Sequence, residues 1–143
     1  MRMRSRIVAG ATATVMVCAS FMSGARAFEV TSIDEFTDAI ALSDEPAMVL
    51  FGTPTCGHCR AAKPHWASFE REFWTEKRLV RVADVDCVAS KDICDWHGVS
   101  SYPTIKYFDG ENGEFGGEYK RAVTYDALAA FAEHYLIDDD EDA

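Results

Sequence analysis

The sequence predicts an α/β fold in which a central mixed β-sheet is flanked by helices on both faces. Ala47 to Phe51 is an unbroken apolar run, too apolar to face water on either side, and so reads as a central strand buried between layers. Helix-patterned and strand-patterned segments follow one another in the order β-α-β-α-β-α-β-β-α, which stacks helices over a sheet. The last two strands, Thr104 to Phe108 and Phe115 to Tyr119, are joined by Asp109-Gly110-Glu111-Asn112-Gly113, a loop of turn residues that suits a hairpin.

Each element has its own local reason. Phe28-Glu29-Val30 is a short first strand. Thr31 or Ser32, with Glu35 behind it, makes a capping box that opens a helix through Ile33, Phe36, Ile40 and Leu42, closed by Ser43 to Pro46. Beyond the central strand, Ala62, Trp66, Phe69 and Phe73 recur at helical spacing, with Arg60, Lys63, Glu70 and Arg71 assigned to other faces. Pro64 inside that helix predicts a kink, because it removes a backbone donor and crowds the preceding turn. Leu79 to Asp86 alternates as an inner strand, and Ser90 to Trp96 forms a short helix ended by Gly98. Thr124 caps a final helix carrying Leu128, Phe131, Tyr135 and Leu136.

Residues 1–27 have the layout of a secretory signal: Arg2, Arg4 and Arg6, an apolar stretch from Ile7 to Met22, and Ala25-Arg26-Ala27 as a cleavage site. An uncleaved anchor is the alternative, weakened by Gly10, Thr12, Thr14, Ser20 and Ser23 and by the shortness of the stretch. Cleavage removes Cys18 and leaves four cysteines, an even number suited to two disulfides in an oxidising compartment. It also removes four arginines, leaving 10 of the 14 Lys and Arg against 24 Asp and Glu, a net charge of −14. That balance argues against nucleic acid or an anionic membrane as partner, and no membrane association is expected after cleavage. The remaining 116 residues suit one domain, with the run from 137 to 143 read as an acidic, solvated, disordered tail.

The chemistry points to Cys56-Gly57-His58-Cys59. Two thiols three positions apart at the first turn of a helix lie within disulfide distance. The unpaired N–H groups and positive dipole end of that turn stabilise a thiolate. The motif reads as a redox centre, Cys56 the attacking sulfur and Cys59 the resolving one. The same pair can be half of a zinc site, but that needs a matching second pair. Cys87 and Cys94 are seven apart, and His65, His97 and His134 form no zinc-type spacing, so no metal is expected.

Cys56-Gly57-His58-Cys59, Tyr102-Pro103-Thr104 and the strand–helix order resemble the catalytic thioredoxin-like domain of the protein disulfide isomerase family, over Phe28 to Leu136. Val85-Asp86-Cys87, Cys94 and Gly98-Val99-Ser100-Ser101-Tyr102-Pro103 are similar to the first catalytic domain of isomerases that carry an extra disulfide. The resemblance implies a thioredoxin-like domain over 28–136. It makes Cys56 the nucleophile, Cys59 the buried resolving thiol, and Gly57 and His58 part of the catalytic motif. His58 beside the sulfur favours the thiolate, a poise near about −180 mV rather than the roughly −270 mV of thioredoxin. Pro103 corresponds to the family's cis-proline, and the backbone of Tyr102 to the position that pairs with a substrate's extended chain. Cys87 and Cys94 then form a structural disulfide. No cofactor is implied.

The pattern is broken in places. Where the family buries a Glu six residues before the first active-site Cys, and a Lys on the neighbouring strand, this chain has Leu50 and Asp84. Asp84 is therefore the candidate proton relay, with a wet strand-edge Asp as the plainer alternative. Thr55 stands in place of a Trp before Cys56. Val123 aligns with a mobile Arg, for which Arg121 is a nearby substitute or, with Lys120, only a solvated basic pair.

The expected function is that of a thiol–disulfide oxidoreductase of the disulfide isomerase type. It acts on unfolded or partly folded polypeptides and is recharged by a redox partner such as glutathione or a thiol oxidase, in the endoplasmic reticulum lumen. The alternatives are a redox-slow peptide-binding chaperone module, or a periplasmic or secreted thiol reductase.

Overall fold

The computed structural model describes residues 28–137; the leader read at 1–27 and the acidic run from Asp138 onward lie outside the described residues. Five strands form one mixed sheet: β1 (Phe28–Glu29), β2 (Ala47–Gly52), β3 (Arg81–Asp86), β4 (Thr104–Phe108) and β5 (Gly117–Tyr119), in the spatial order β1-β3-β2-β4-β5. β1 and β2 run parallel to β3, whereas β4 runs antiparallel to β2 and β5 antiparallel to β4. The apolar run is the central strand, as expected, and every residue of β2 is buried.

Because strand side chains alternate, β2 supplies two cores. Ala47, Val49 and Phe51 join Phe36, Ile40, Val85, Ile93 and Phe108 on one face. Met48 and Leu50 join Trp66, Phe69, Phe73, Val82, Leu128 and Phe131 on the other. The first face is covered by α1 (Ile33–Phe36), which continues in π-type bonding over Thr37–Ala41, and by α3 (Lys91–Trp96). The second is covered by α2 (Gly57–Glu70), continuing over Arg71–Glu76, and α4 (Tyr125–Ala132), continuing over Glu133–Ile137. Ile137 still packs on the second core, one residue past the expected domain boundary. No helix among the described residues is long and apolar enough to cross a membrane.

The capping residues act as the sequence indicates: Ser32 Oγ accepts from the Glu35 N–H, and Thr124 Oγ1 from the Ala127 N–H. The helix carrying Pro64 is a single α-helical segment from Gly57 to Glu70. Two strand starts differ from expectation. β3 begins at Arg81 rather than Leu79, because the N–H groups of Leu79 and Val80 are both turned back onto the Phe73 carbonyl. β5 begins at Gly117 rather than Phe115: the chain bends at Gly116, φ 59°, where an added Cβ would lie 2.5 Å from the Tyr107 carbonyl oxygen. A third difference bears on function. Glu70, assigned to a face other than the apolar one, is only 9% exposed.

Candidate active site

β2 ends at Gly52, and the chain turns through Thr53-Pro54-Thr55 to Cys56, which caps α2 with extended backbone angles. Cys56 Sγ accepts the Cys59 N–H at 3.1 Å, taking one of the donors that the first turn of any helix leaves unpaired. The two thiols are not joined; Cys56 is half-buried and Cys59 is buried, 3% exposed.

This geometry drives the two sulfurs apart electrostatically. Cys56 is held below the ordinary thiol range, first by the hydrogen bond its sulfur accepts from the Cys59 thiol. The N–H groups of Cys59 and His58 and the charge of Arg60 add to it. Cys59 is pushed up, first by burial and then by donating to Cys56. One sulfur ionises readily and the other keeps its proton, which is the division that attack followed by resolution requires.

The Tyr102–Pro103 peptide bond is cis, as the resemblance implied. Tyr102 and Pro103 face His58, Ala61, Ala62, His65 and Val123 across a groove of about 520 Å³. His65 Nδ1 accepts the Tyr125 N–H, so the groove wall is tied to the start of α4. Gly57 opens α2, and beyond its chain neighbours and its own helix backbone no atom lies within 4 Å of where a Cβ would stand. Val123 lines the groove, but Arg121 does not join it: its guanidinium stacks over Phe131 and Tyr135 and donates to the Tyr135 hydroxyl. Lys120 and Arg121 are both exposed, as the solvated-pair reading has it, and Arg121 does not stand in for the mobile Arg at the cysteines.

Behind Cys59 lies a second cavity, of about 530 Å³, lined among others by Leu50, Gly52, Lys63, Glu70 and Asp84. Leu50 and Asp84 are register partners on β2 and β3, so the carboxylate sits one strand over from the position where the family resemblance placed one. Asp84 Oδ2 pairs with Lys63 Nζ at 2.7 Å, and Asp84 Oδ1 is buried without a partner. Lys63 and Glu70 escaped the sequence reading. Cys59, Lys63, Trp66 and Glu70 nevertheless follow one another at intervals of four, three and four, one stripe of a helix.

Cys87 and Cys94 are disulfide-bonded, S–S 2.07 Å, across the start of α3 and away from the groove. The Cys87 N–H donates to the Gly52 carbonyl, which ties the end of β3 to the strand leading into the active-site loop.

Fold and site together define a thioredoxin-fold domain with a pair of free thiols at a helix start. The chain belongs to the thioredoxin family, which it matches over residues 27–134. It is 38% identical over 122 residues to a protein disulfide-isomerase-like protein, EhSep2, of Emiliania huxleyi, covering 85% of this chain and 53% of that one. It is 36% identical over 112 residues to a probable protein disulfide-isomerase, ER-60, of Schistosoma mansoni, covering 78% and 22%. Among solved structures it is similar to the J-Trx1 fragment of ERdj5, with a TM-score of 0.66 at 29% identity over 76% of this chain and 50% of the other. The chain spans about half or less of the length of these relatives.

Proposed function

We propose that this chain is a thiol–disulfide oxidoreductase of the disulfide isomerase kind, acting on polypeptides through Cys56 and Cys59. The observation that carries the reading is the pairing of an accessible, acidified Cys56 sulfur with a buried, proton-holding Cys59 at the head of α2. The Cys56 thiolate attacks a substrate disulfide, forming a mixed disulfide and releasing one substrate thiolate. Cys59 then loses its proton and attacks the Cys56 sulfur, closing the Cys56–Cys59 disulfide and releasing the second thiolate. Run backwards, the same steps donate a disulfide.

His58 and Gly57 border the attacking sulfur, and the Tyr102 backbone beside Pro103 serves as the strand-like rest for an extended substrate segment. The partners in this reading are unfolded or partly folded polypeptides, with glutathione or a thiol oxidase restoring the disulfide. The compartment is the endoplasmic reticulum lumen; the basic-apolar leader and the Cys87–Cys94 disulfide both suit an oxidising environment.

The test is trapping with a disulfide-bonded polypeptide such as insulin as substrate. Cys59→Ser accumulates a covalent complex through Cys56, and Cys56→Ser forms none and reduces no insulin. Equal trapping by both variants, or insulin reduction that survives Cys56→Ser, overturns the assignment. Polypeptide binding without turnover in the wild type indicates the redox-slow chaperone module instead.

A further inference from the structure

The proposed chemistry asks Cys59 to lose a proton although it is buried and its thiol is pushed above the ordinary range. No carboxylate touches it from β2, where Leu50 stands. The space behind it is instead lined by ionisable side chains drawn from two elements, Lys63 and Glu70 of α2 and Asp84 and Asp86 of β3. Asp84 reaches in both directions. Its Oδ2 is paired with Lys63, whose side chain is 51% exposed, and its Oδ1 is turned inward without a partner. Glu70 is nine-tenths buried, and its Oε1 has no hydrogen-bond partner either. A buried carboxyl oxygen left unpaired in a native fold is costly and calls for a reason.

We infer that Glu70 is the proton reservoir for Cys59, reached through Asp84 and Lys63 along the cavity that all four residues line. Eleven helical positions separate Glu70 from Cys59, about 16 Å along the axis, so the two do not meet directly. Glu70 is thus a positioning residue, acting on the sulfur through Asp84 and through the water that a cavity of this size admits beside its charged groups. The inference rests on the redox reading of Cys56 and Cys59. When Cys59 attacks the mixed disulfide, its S–H proton passes to the carboxylate pair as the new S–S bond forms and the substrate sulfur leaves with the electron pair of the broken one. When the disulfide is donated, the Cys59 sulfur leaves as thiolate and the proton returns.

The charges around Glu70 suit that task. Its carboxyl is raised above the usual range, first by burial and then by the Asp84 charge, with Lys63 opposing. Asp86 of β3 also lines this space, with its Oδ1 accepting from the Val88 and Ala89 N–H groups. The resemblance led to Asp84 alone. The structure adds a second carboxyl from another element, with a lysine between the pair and solvent.

Stopped-flow reaction of the reduced protein with Ellman's reagent separates the steps. The first nitrothiobenzoate is released when Cys56 attacks, and the second when Cys59 resolves the mixed disulfide. In the wild type the second rate rises with pH through the Glu70 titration. In Glu70→Gln that rise disappears, and the second rate at pH 7, read against the first phase of the same variant, falls about tenfold, less than the roughly 10²–10⁴-fold expected of a directly placed acid or base. Glu70→Asp keeps the rise. Asp84→Asn moves it to lower pH and Lys63→Met to higher pH, the opposite signs that their charges impose on Glu70. A Glu70→Gln profile of wild-type shape, or shifts of the same sign in Asp84→Asn and Lys63→Met, overturns the inference. Absence of the first phase in the wild type overturns the redox reading itself.

Discussion

His97 is the clearest place to test the energetics of this fold. It follows α3 and is 4% exposed, with its ring 4.4 Å from that of Phe36 and within about 6 Å of those of Phe51, Phe108 and Phe115. Its Nδ1 is buried without a hydrogen-bond partner. Burial among aromatic rings, and then the Lys106 charge, lower its pKa from 6.5 to about 4. Between those values the unfolded chain binds a proton that the folded chain refuses, so stability falls as pH drops from 6.5 and levels off below about 4. At about 1.4 kcal/mol per unit, the loss is at most about 3.5 kcal/mol. That is a large share of the roughly 5–15 kcal/mol of a typical domain. Urea unfolding of the wild type and of His97→Phe between pH 4 and 7.5 isolates it, because every other titrating group cancels in the difference. The difference should slope between pH 4 and 6.5 and be flat above. A flat difference throughout, whatever its height, refutes the account.

Other expectations follow from the cysteines and their surroundings. Alkylation by iodoacetamide should label Cys56 below the ordinary thiol range while Cys59 stays unreactive, checked by mass spectrometry of digests across pH; equal labelling would contradict the opposite shifts of the two thiols. Replacing Cys87 and Cys94 together by Ser should cost roughly 2–2.5 kcal/mol in urea unfolding, from the short loop that the bond closes, and leave Cys56 labelling in place. Gly52→Ala puts a Cβ 2.9 Å from Cys59 Sγ, so it should displace that sulfur and slow the second phase with Ellman's reagent more than the first.

Much of this was legible in the chain itself. The apolar run of β2, the caps at Ser32 and Thr124, and the hairpin after Phe108 are set by local chemistry that the sequence displays, and the structure keeps them. Cys56 and Cys59 were equally plain, because helix-start chemistry needs only their spacing. The cavity behind them was not. Glu70 looks like a solvent-facing charge, as Lys63 in large part is, because a helical pattern reports only which face is apolar. Whether a neighbouring strand carries a carboxylate to meet them depends on the β2–β3 register, which is a tertiary fact. Strand starts failed for a similar reason: the donors of Leu79 and Val80 are claimed by Phe73, across a turn that no alternation pattern reveals.

The Cys87–Cys94 bond has a consequence for how the domain meets small thiols. Its two sulfur-bearing residues are shielded, at 4% and 1% exposure, while Cys56 is only half-buried. An in-line approach to a disulfide needs open space behind the sulfur under attack, so a reductant admitted to one pair is turned away from the other. Under the proposed redox reading, a single fold carries one couple open to the potential of its surroundings and another closed to it, so the first cycles without loosening the body that holds it.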